Sequence, residues 1–120
     1  MSNRLQKHRK AERIGRLAEW FAAFALLLKG YRVIALRYKT RVGEIDLIAR
    51  KGNLVAIVEV KARPTIREAV EAVTLSSRKR IDAAADLWLA KQRNYASLSI
   101  RYDIVAVCPW HWPVHFKDAF

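Results

Sequence analysis

GEIDLIARKGNLVAIVEVK, residues 43–61, decides how this chain is read. Two runs rich in β-branched and apolar residues, Val42 to Arg50 and Leu54 to Ala62, flank Lys51-Gly52-Asn53, and the spacing predicts a tight hairpin. Both predicted strands carry charges inside apolar runs. Leu54 to Val60 is otherwise apolar at both parities, the mark of a strand covered on both faces, so Glu59 starts from a partly buried position. Side chains alternate along a strand, which puts Glu44 with Asp46 on one face and Glu59 with Lys61 on one face. A buried carboxylate must be compensated. Lys61 can do this as an ion-pair partner, or a metal shared by several carboxylates can. The plain reading is a lattice of cross-strand salt bridges. Against it stand the position of the charges within apolar runs and a hairpin that can bring Asp46 and Glu59 together. Two carboxylates converging with one lysine are what metal-assisted phosphodiester hydrolysis needs.

Working outward, Tyr31 to Tyr38 predicts a strand before the hairpin, and Pro64 closes the third strand because it cannot donate to a ladder. Residues 66–93 return to helical spacing through Ala69, Val73, Ile81, Ala84, Ala85, Trp88 and Leu89, with Ser76 or Ser77 as a candidate cap of a helix within the span. Leu98 to Val107 predicts another strand, and Val114 to Phe116 is a candidate short closing one. At the front, Ile14, Leu17, Ala18, Phe21, Ala25 and Leu28 gather on one helical stripe, expected to face the core, and Gly30 supplies the stop. The order α-β-β-β-α-β, with the possible closing strand, predicts one α/β domain over residues 13–120 built on a mixed sheet. Residues 1–12 read as a mobile basic arm carrying Arg4, Lys7, Arg9 and Lys10.

The composition narrows the function classes. With 120 residues there is room for one domain, and 52% hydrophobic residues rule out a wholly disordered basic tail. A net charge of +12 favours a polyanionic partner, nucleic acid before an anionic membrane surface. The uninterrupted apolar run Trp20 to Leu28 has nine residues, under half of the ~20 that a bilayer span needs. Lys29-Gly30-Tyr31-Arg32 follows where a signal peptide would have small residues. The one cysteine, Cys108, fits a reducing, cytoplasmic setting. His111 and His115, with Trp110 and Trp112, stand about 13 Å apart on an extended segment and are assigned to packing.

At the charged hairpin the sequence resembles the YraN-like group of small bacterial proteins, within the PD-(D/E)XK nuclease superfamily, and is similar to archaeal Holliday-junction resolvases. The resemblance runs from about Gly15 to Val107. It rests on Gly43-Glu44-Ile45-Asp46-Leu47-Ile48 and Glu59-Val60-Lys61, supported by Gly15 with Glu19, by Gly30-Tyr31, and by Arg101-Tyr102-Asp103-Ile104-Val105. It implies a restriction-endonuclease-like fold, a mixed sheet flanked by helices. It also implies a Mg²⁺- or Mn²⁺-dependent endonuclease acting on structured or branched DNA. Carried over by position, Asp46, Glu59 and the Val60 carbonyl would hold the divalent ion, Glu19 would complete or tune the site, and Lys61 would position the water. Arg78, Lys79 and Arg80 match a basic cluster of the family, and with the arm residues they are the expected nucleic-acid contacts.

Each role has a plainer rival: Glu19 lies about 140° from Ile14 beside Ala22, Ala23 and Leu26, a flank position, and Lys61 would merely neutralise Glu59. Asp103 is read as a structural hydrogen-bonding residue. Glu44 matches the family pattern without an assigned role. The chain departs from that pattern at Ser77, where a lysine is expected, and in a shortened Ala62 to Ile66 segment. The alternative function is a nuclease-like fold that binds DNA or RNA without cutting it. A peripheral membrane role is disfavoured because the first helix has its apolar residues too widely spread for a clean interfacial face. Resolvases act on two strands, so the resemblance also implies a homodimer.

Overall fold

The computed structural model describes residues 2–120. Helix α1 spans Ser2–Leu28 and is followed by β1 (Arg32–Lys39), β2 (Glu44–Lys51) and β3 (Leu54–Ala62). After these come α2 (Ile66–Glu71), α3 (Leu75–Ala90), a 3₁₀ turn at Tyr95–Ser97, β4 (Ser99–Val107) and β5 (Val114–Phe116). The strands form one mixed sheet in the order β1-β2-β3-β4-β5. β1, β2 and β3 are an antiparallel meander, β3 and β4 are parallel across the α2–α3 crossover, and β5 is antiparallel to β4. The element order expected from the sequence is present, with β3 and β5 at their expected bounds and the ends of the other strands displaced by at most two residues. No described helix is long and apolar enough to cross a membrane.

Gly30 ends α1 as a left-handed cap. Its φ is 93°, its N–H donates to the Leu27 carbonyl, and that of Tyr31 donates back to Leu26, the paired bonds of a Schellman motif. The basic segment expected as an arm is helical instead: α1 runs through it, and residues 3–12 are exposed. Arg, Lys, Gln and Ala are good helix formers, and His8 pairs with Glu12 at 3.0 Å one turn on, so nothing local interrupts the helix.

The expected core stripe of α1 holds at Ala18 and Ala25 and is overturned at its bulky members. Ile14, Leu17, Phe21 and Leu28 are 47–64% exposed, whereas Ala18, Ala22, Ala23, Ala25 and Leu26 are buried. The alanine-rich side is the one seated on Leu47, Ala49, Ala56, Val58 and Val105, because small side chains let a helix lie close to a sheet. On the other face Ile81, Ala84, Ala85 and Trp88 of α3 cover Ile45, Ile48, Val55 and Ile57. The span 66–93 divides into two helices because Thr74, not Ser76 or Ser77, caps α3. Its side chain accepts the Ser77 N–H, and the Ser77 hydroxyl accepts the Thr74 N–H in return.

Gly43 is where the β1–β2 turn meets α3: a Cβ there would lie 2.9 Å from the Arg80 carbonyl carbon. Gly43→Ala is expected to cost about 1–3 kcal/mol in urea unfolding, the cost of overpacking against backbone that cannot swing away. An unchanged midpoint would show that the turn can lift off α3.

Candidate metal and nucleic-acid site

The β2–β3 ladder runs from Lys51↔Leu54 to Leu47↔Val58 and stops there. Ile45 packs toward α3 and Leu47 toward α1, so strict alternation breaks at Asp46. Glu44 consequently does not share a site with Asp46; it stays exposed at the start of β2. Where the strands part, the Asp46 Oδ2 accepts the Val60 N–H at 2.9 Å, a side chain standing in for the missing ladder bond. Glu59 is buried and its Oε1 lies 3.0 Å from the Lys61 ammonium. Because α1 presents its alanine side to the sheet, Glu19, one residue past Ala18, turns inward with it.

A cleft of about 380 Å³ is lined by Gly15, Glu19, Asp46, Glu59, Val60 and Lys61, among others. Every residue of the expected metal and catalytic set thus lines this one cleft. Burial pushes the Asp46 carboxyl up to about 7, the facing Glu59 charge adds to this, and the Val60 N–H bond only partly opposes it. The donor chemistry fits a hard divalent cation: carboxylate oxygens in a cleft that resists their joint ionisation. Among the described residues no three acidic, His or Cys side chains form a ready cluster, and Glu19 is engaged elsewhere. Its Oε1 accepts a 2.7 Å hydrogen bond from Arg37 Nε. Arg37 has a left-handed φ of 54°, a conformation that costs a non-glycine residue about 1–3 kcal/mol.

The expected nucleic-acid contacts lie on two exposed surfaces: Arg4, Lys7, Arg9 and Lys10 on the first turns of α1, and Arg78, Lys79 and Arg80 at the start of α3. Ser77 serves the α3 cap. The residues assigned to packing behave otherwise. Trp110 is fully exposed and Trp112 largely so, while the His115 side chain is buried in a polar network. His115 Nε2 lies 2.7 Å from Asp103, whose carboxylate also takes two bonds from Arg101 and one from the Asp118 N–H. Burial would raise the Asp103 carboxyl, but the His115, Arg101 and Asp118 bonds outweigh it and hold it well below the usual carboxylate range. Its role is structural, as its place in the sequence suggested.

The model of the uncharacterised protein family UPF0102 matches residues 18–107. The chain belongs to the UPF0102 family. It is 63% identical over 117 residues to a UPF0102 protein of Chelativorans sp. (strain BNC1), covering 98% of this chain and 94% of that one. Over 111 residues it is 60% identical to UPF0102 proteins of Mesorhizobium japonicum and Rhizobium meliloti, covering 92% of this chain and 89% and 91% of theirs. The UPF0102 match takes in Glu19, Asp46, Glu59, Lys61 and Arg78 to Arg80; the basic turns before residue 18 lie outside it. Two features of this UPF0102 chain escape a reading of its sequence, the Arg37 pair and the partners that make up the Asp103 network. Arg37 carries no signal, since nothing marks an arginine in a strand as left-handed. The network does carry one, as Arg101-x-Asp103 inside an apolar strand is a charge pair on one face.

Proposed function

We propose that this protein is a Mg²⁺- or Mn²⁺-dependent endonuclease of the PD-(D/E)XK type, acting on structured or branched DNA. The observation that carries the reading is the meeting of Asp46, Glu59, Val60 and Lys61 with Glu19 in one cleft of a strongly cationic protein. Asp46, Glu59 and the Val60 carbonyl would hold the ion, and Glu19 is near enough to the same cleft to join them. When bound, such an ion supplies Lewis acidity toward the scissile phosphate and a more acidic water. The chain does the rest. Lys61, fixed by its pair with Glu59, keeps N–H donors at the cleft to orient a water or meet charge on the leaving oxygen. Glu59 keeps that ammonium in place, and the Val60 N–H keeps Asp46 aimed inward. The exposed basic side chains on α1 and α3 neutralise backbone phosphates without reading sequence. A cytoplasmic setting goes with a nucleic-acid substrate and with Cys108, which is buried as a free thiol.

Purified protein assayed with Mn²⁺ on junction, flap and linear duplex DNA is expected to cut a structured substrate in preference to linear duplex. Glu59→Gln is expected to slow it at least about a hundredfold. Binding of DNA or RNA without Mn²⁺-dependent cleavage would replace this reading with that of a non-catalytic binding protein.

A homodimer belongs to the same proposal, and the outward side of α1 supports it. Phe21, more than half exposed, lines an apolar cavity of about 530 Å³ with Ile14, Leu17, Trp110 and Trp112, and Phe24, also half exposed, packs edge-on against Trp112. The exposed parts of these four aromatics present roughly 500 Å² of surface, and the half-exposed Ile14 and Leu17 beside them extend it toward the ~800 Å² that one partner contributes to a standard interface. Trp110, protruding at the rim of the cavity it lines, gives the face a knob and a hole for a two-fold contact. Sedimentation at tens of micromolar is expected to show a dimer that Trp110→Ala with Phe24→Ser converts to monomer. A monomeric wild-type protein would remove the dimer from the proposal.

A further inference from the structure

Arg37 has no part in the reading just proposed, on which this inference rests. It stands in β1 between the paired positions Leu36↔Leu47 and Tyr38↔Ile45, and thus opposite Asp46, in the left-handed conformation. A guanidinium has five N–H donors, and among the described residues Nε, bonded to Glu19, is the one with a side-chain acceptor. The other two acids of the cleft are held differently, Asp46 by a main-chain N–H and Glu59 by Lys61. Glu19 alone is held by a guanidinium, whose planar fork can take a phosphate at two oxygens at once.

We infer that Arg37 is a positioning residue that keeps Glu19 from the cation until a substrate phosphodiester takes the guanidinium, and so couples substrate binding to completion of the metal site. Guanidinium forms comparable charge-assisted pairs with carboxylate and with phosphate, so exchanging one for the other is nearly balanced and a second event can tip it. A cation in the cleft pulls Glu19 in the same direction that the phosphate pulls Arg37. By linkage, DNA and divalent ion each raise the other's affinity.

The test is a double-mutant cycle of Arg37→Gln and Glu19→Gln, read by Mn²⁺ calorimetry on protein without DNA. Arg37→Gln is expected to tighten Mn²⁺ binding about fivefold or more by freeing Glu19, and the gain is expected to vanish in the double variant. A gain that survives there is removal of a positive charge and nothing more, and it overturns the inference; so does no gain at all. Arg37→Gly, which relieves the left-handed backbone, repeats the measurement in a variant with no conformational reason to unfold. In a second arm, anisotropy of a labelled junction with Ca²⁺ in place of Mn²⁺ is expected to show ion-enhanced DNA binding in wild type and little enhancement in Arg37→Gln. If wild type binds Mn²⁺ and cleaves DNA but the cycle is empty, only this inference falls. If wild type binds no divalent ion, the nuclease reading falls with it.

Discussion

Asp46→Asn is expected to abolish Mn²⁺-dependent cleavage and at the same time to make the protein more stable above neutral pH. The loss of activity, at least about a hundredfold, follows from removing the carboxylate that anchors the proposed ion. The gain in stability follows from the environment of that carboxylate. Its pKa is about 7 in the folded protein against 3.8 when unfolded, raised by burial and then by the charge of Glu59. Between those values the folded state retains a proton that the unfolded chain has released. Stability is therefore full below about pH 4 and declines as pH rises through 7, by on the order of 2–4 kcal/mol. Asparagine keeps an oxygen for the Val60 N–H and carries no charge, so the variant escapes the decline. Thermal unfolding at pH 4 and pH 8 checks this: the two proteins should differ little at the lower pH, with the variant melting higher at the other. Saturating Mn²⁺ should raise the wild-type midpoint and leave that of Asp46→Asn in place. A variant less stable than wild type at pH 8 would mean that the carboxylate is a net structural asset.

The largest loss of stability is expected at Arg101. Its guanidinium donates to both oxygens of Asp103, at 2.8 and 2.7 Å, and to the Tyr31 hydroxyl at 2.7 Å. Asp103 is fully buried, so Arg101→Met, which preserves bulk, leaves a carboxylate with only His115 and the Asp118 N–H. Breaking one side of a buried pair costs about 3–5 kcal/mol, a large share of the 5–15 kcal/mol that typically holds a domain folded. Urea unfolding measures it, and a loss under about 1 kcal/mol would contradict the assignment. Arg101→Met combined with Asp103→Leu should recover much of the loss, because the unpaired charge is then gone. Acid gives a second handle. Asp103 has a depressed pKa, so its contribution is present above about pH 4 and disappears as pH falls toward the folded value.

β3 was legible in the sequence to the residue because its run is apolar at both parities and bounded by Gly52-Asn53 and Pro64. Asp46, Glu59 and Lys61 were legible for a related reason: charges inside such runs have to be compensated in space. The rotation of α1 was not, since its alanines and its bulky residues both recur at helical spacing. Hydrophobicity favoured the bulky side, and close approach to the sheet selected the other. That single reversal also decides Glu19, which a core built on Ile14 and Phe21 would have left on the flank. The break before α3 was hidden because Thr74 and Ser77 cap each other, whereas Ser76 and Ser77 looked equally suited from their neighbours. Arg37 lay beyond the sequence altogether, since nothing in its neighbours marks a left-handed residue inside a strand.

The bond between Asp46 and Val60 makes one amide proton a witness to the cleft. A strand N–H that answers to a main-chain carbonyl is insulated from chemistry, but that of Val60 answers to an ionisable oxygen. Its chemical shift should follow the protonation of Asp46 in a pH titration, and it should move again when a cation draws on the same carboxylate. A single backbone resonance, in a protein bearing no label but ¹⁵N, can thus distinguish a site that is protonated, ionised or loaded without any substrate being turned over.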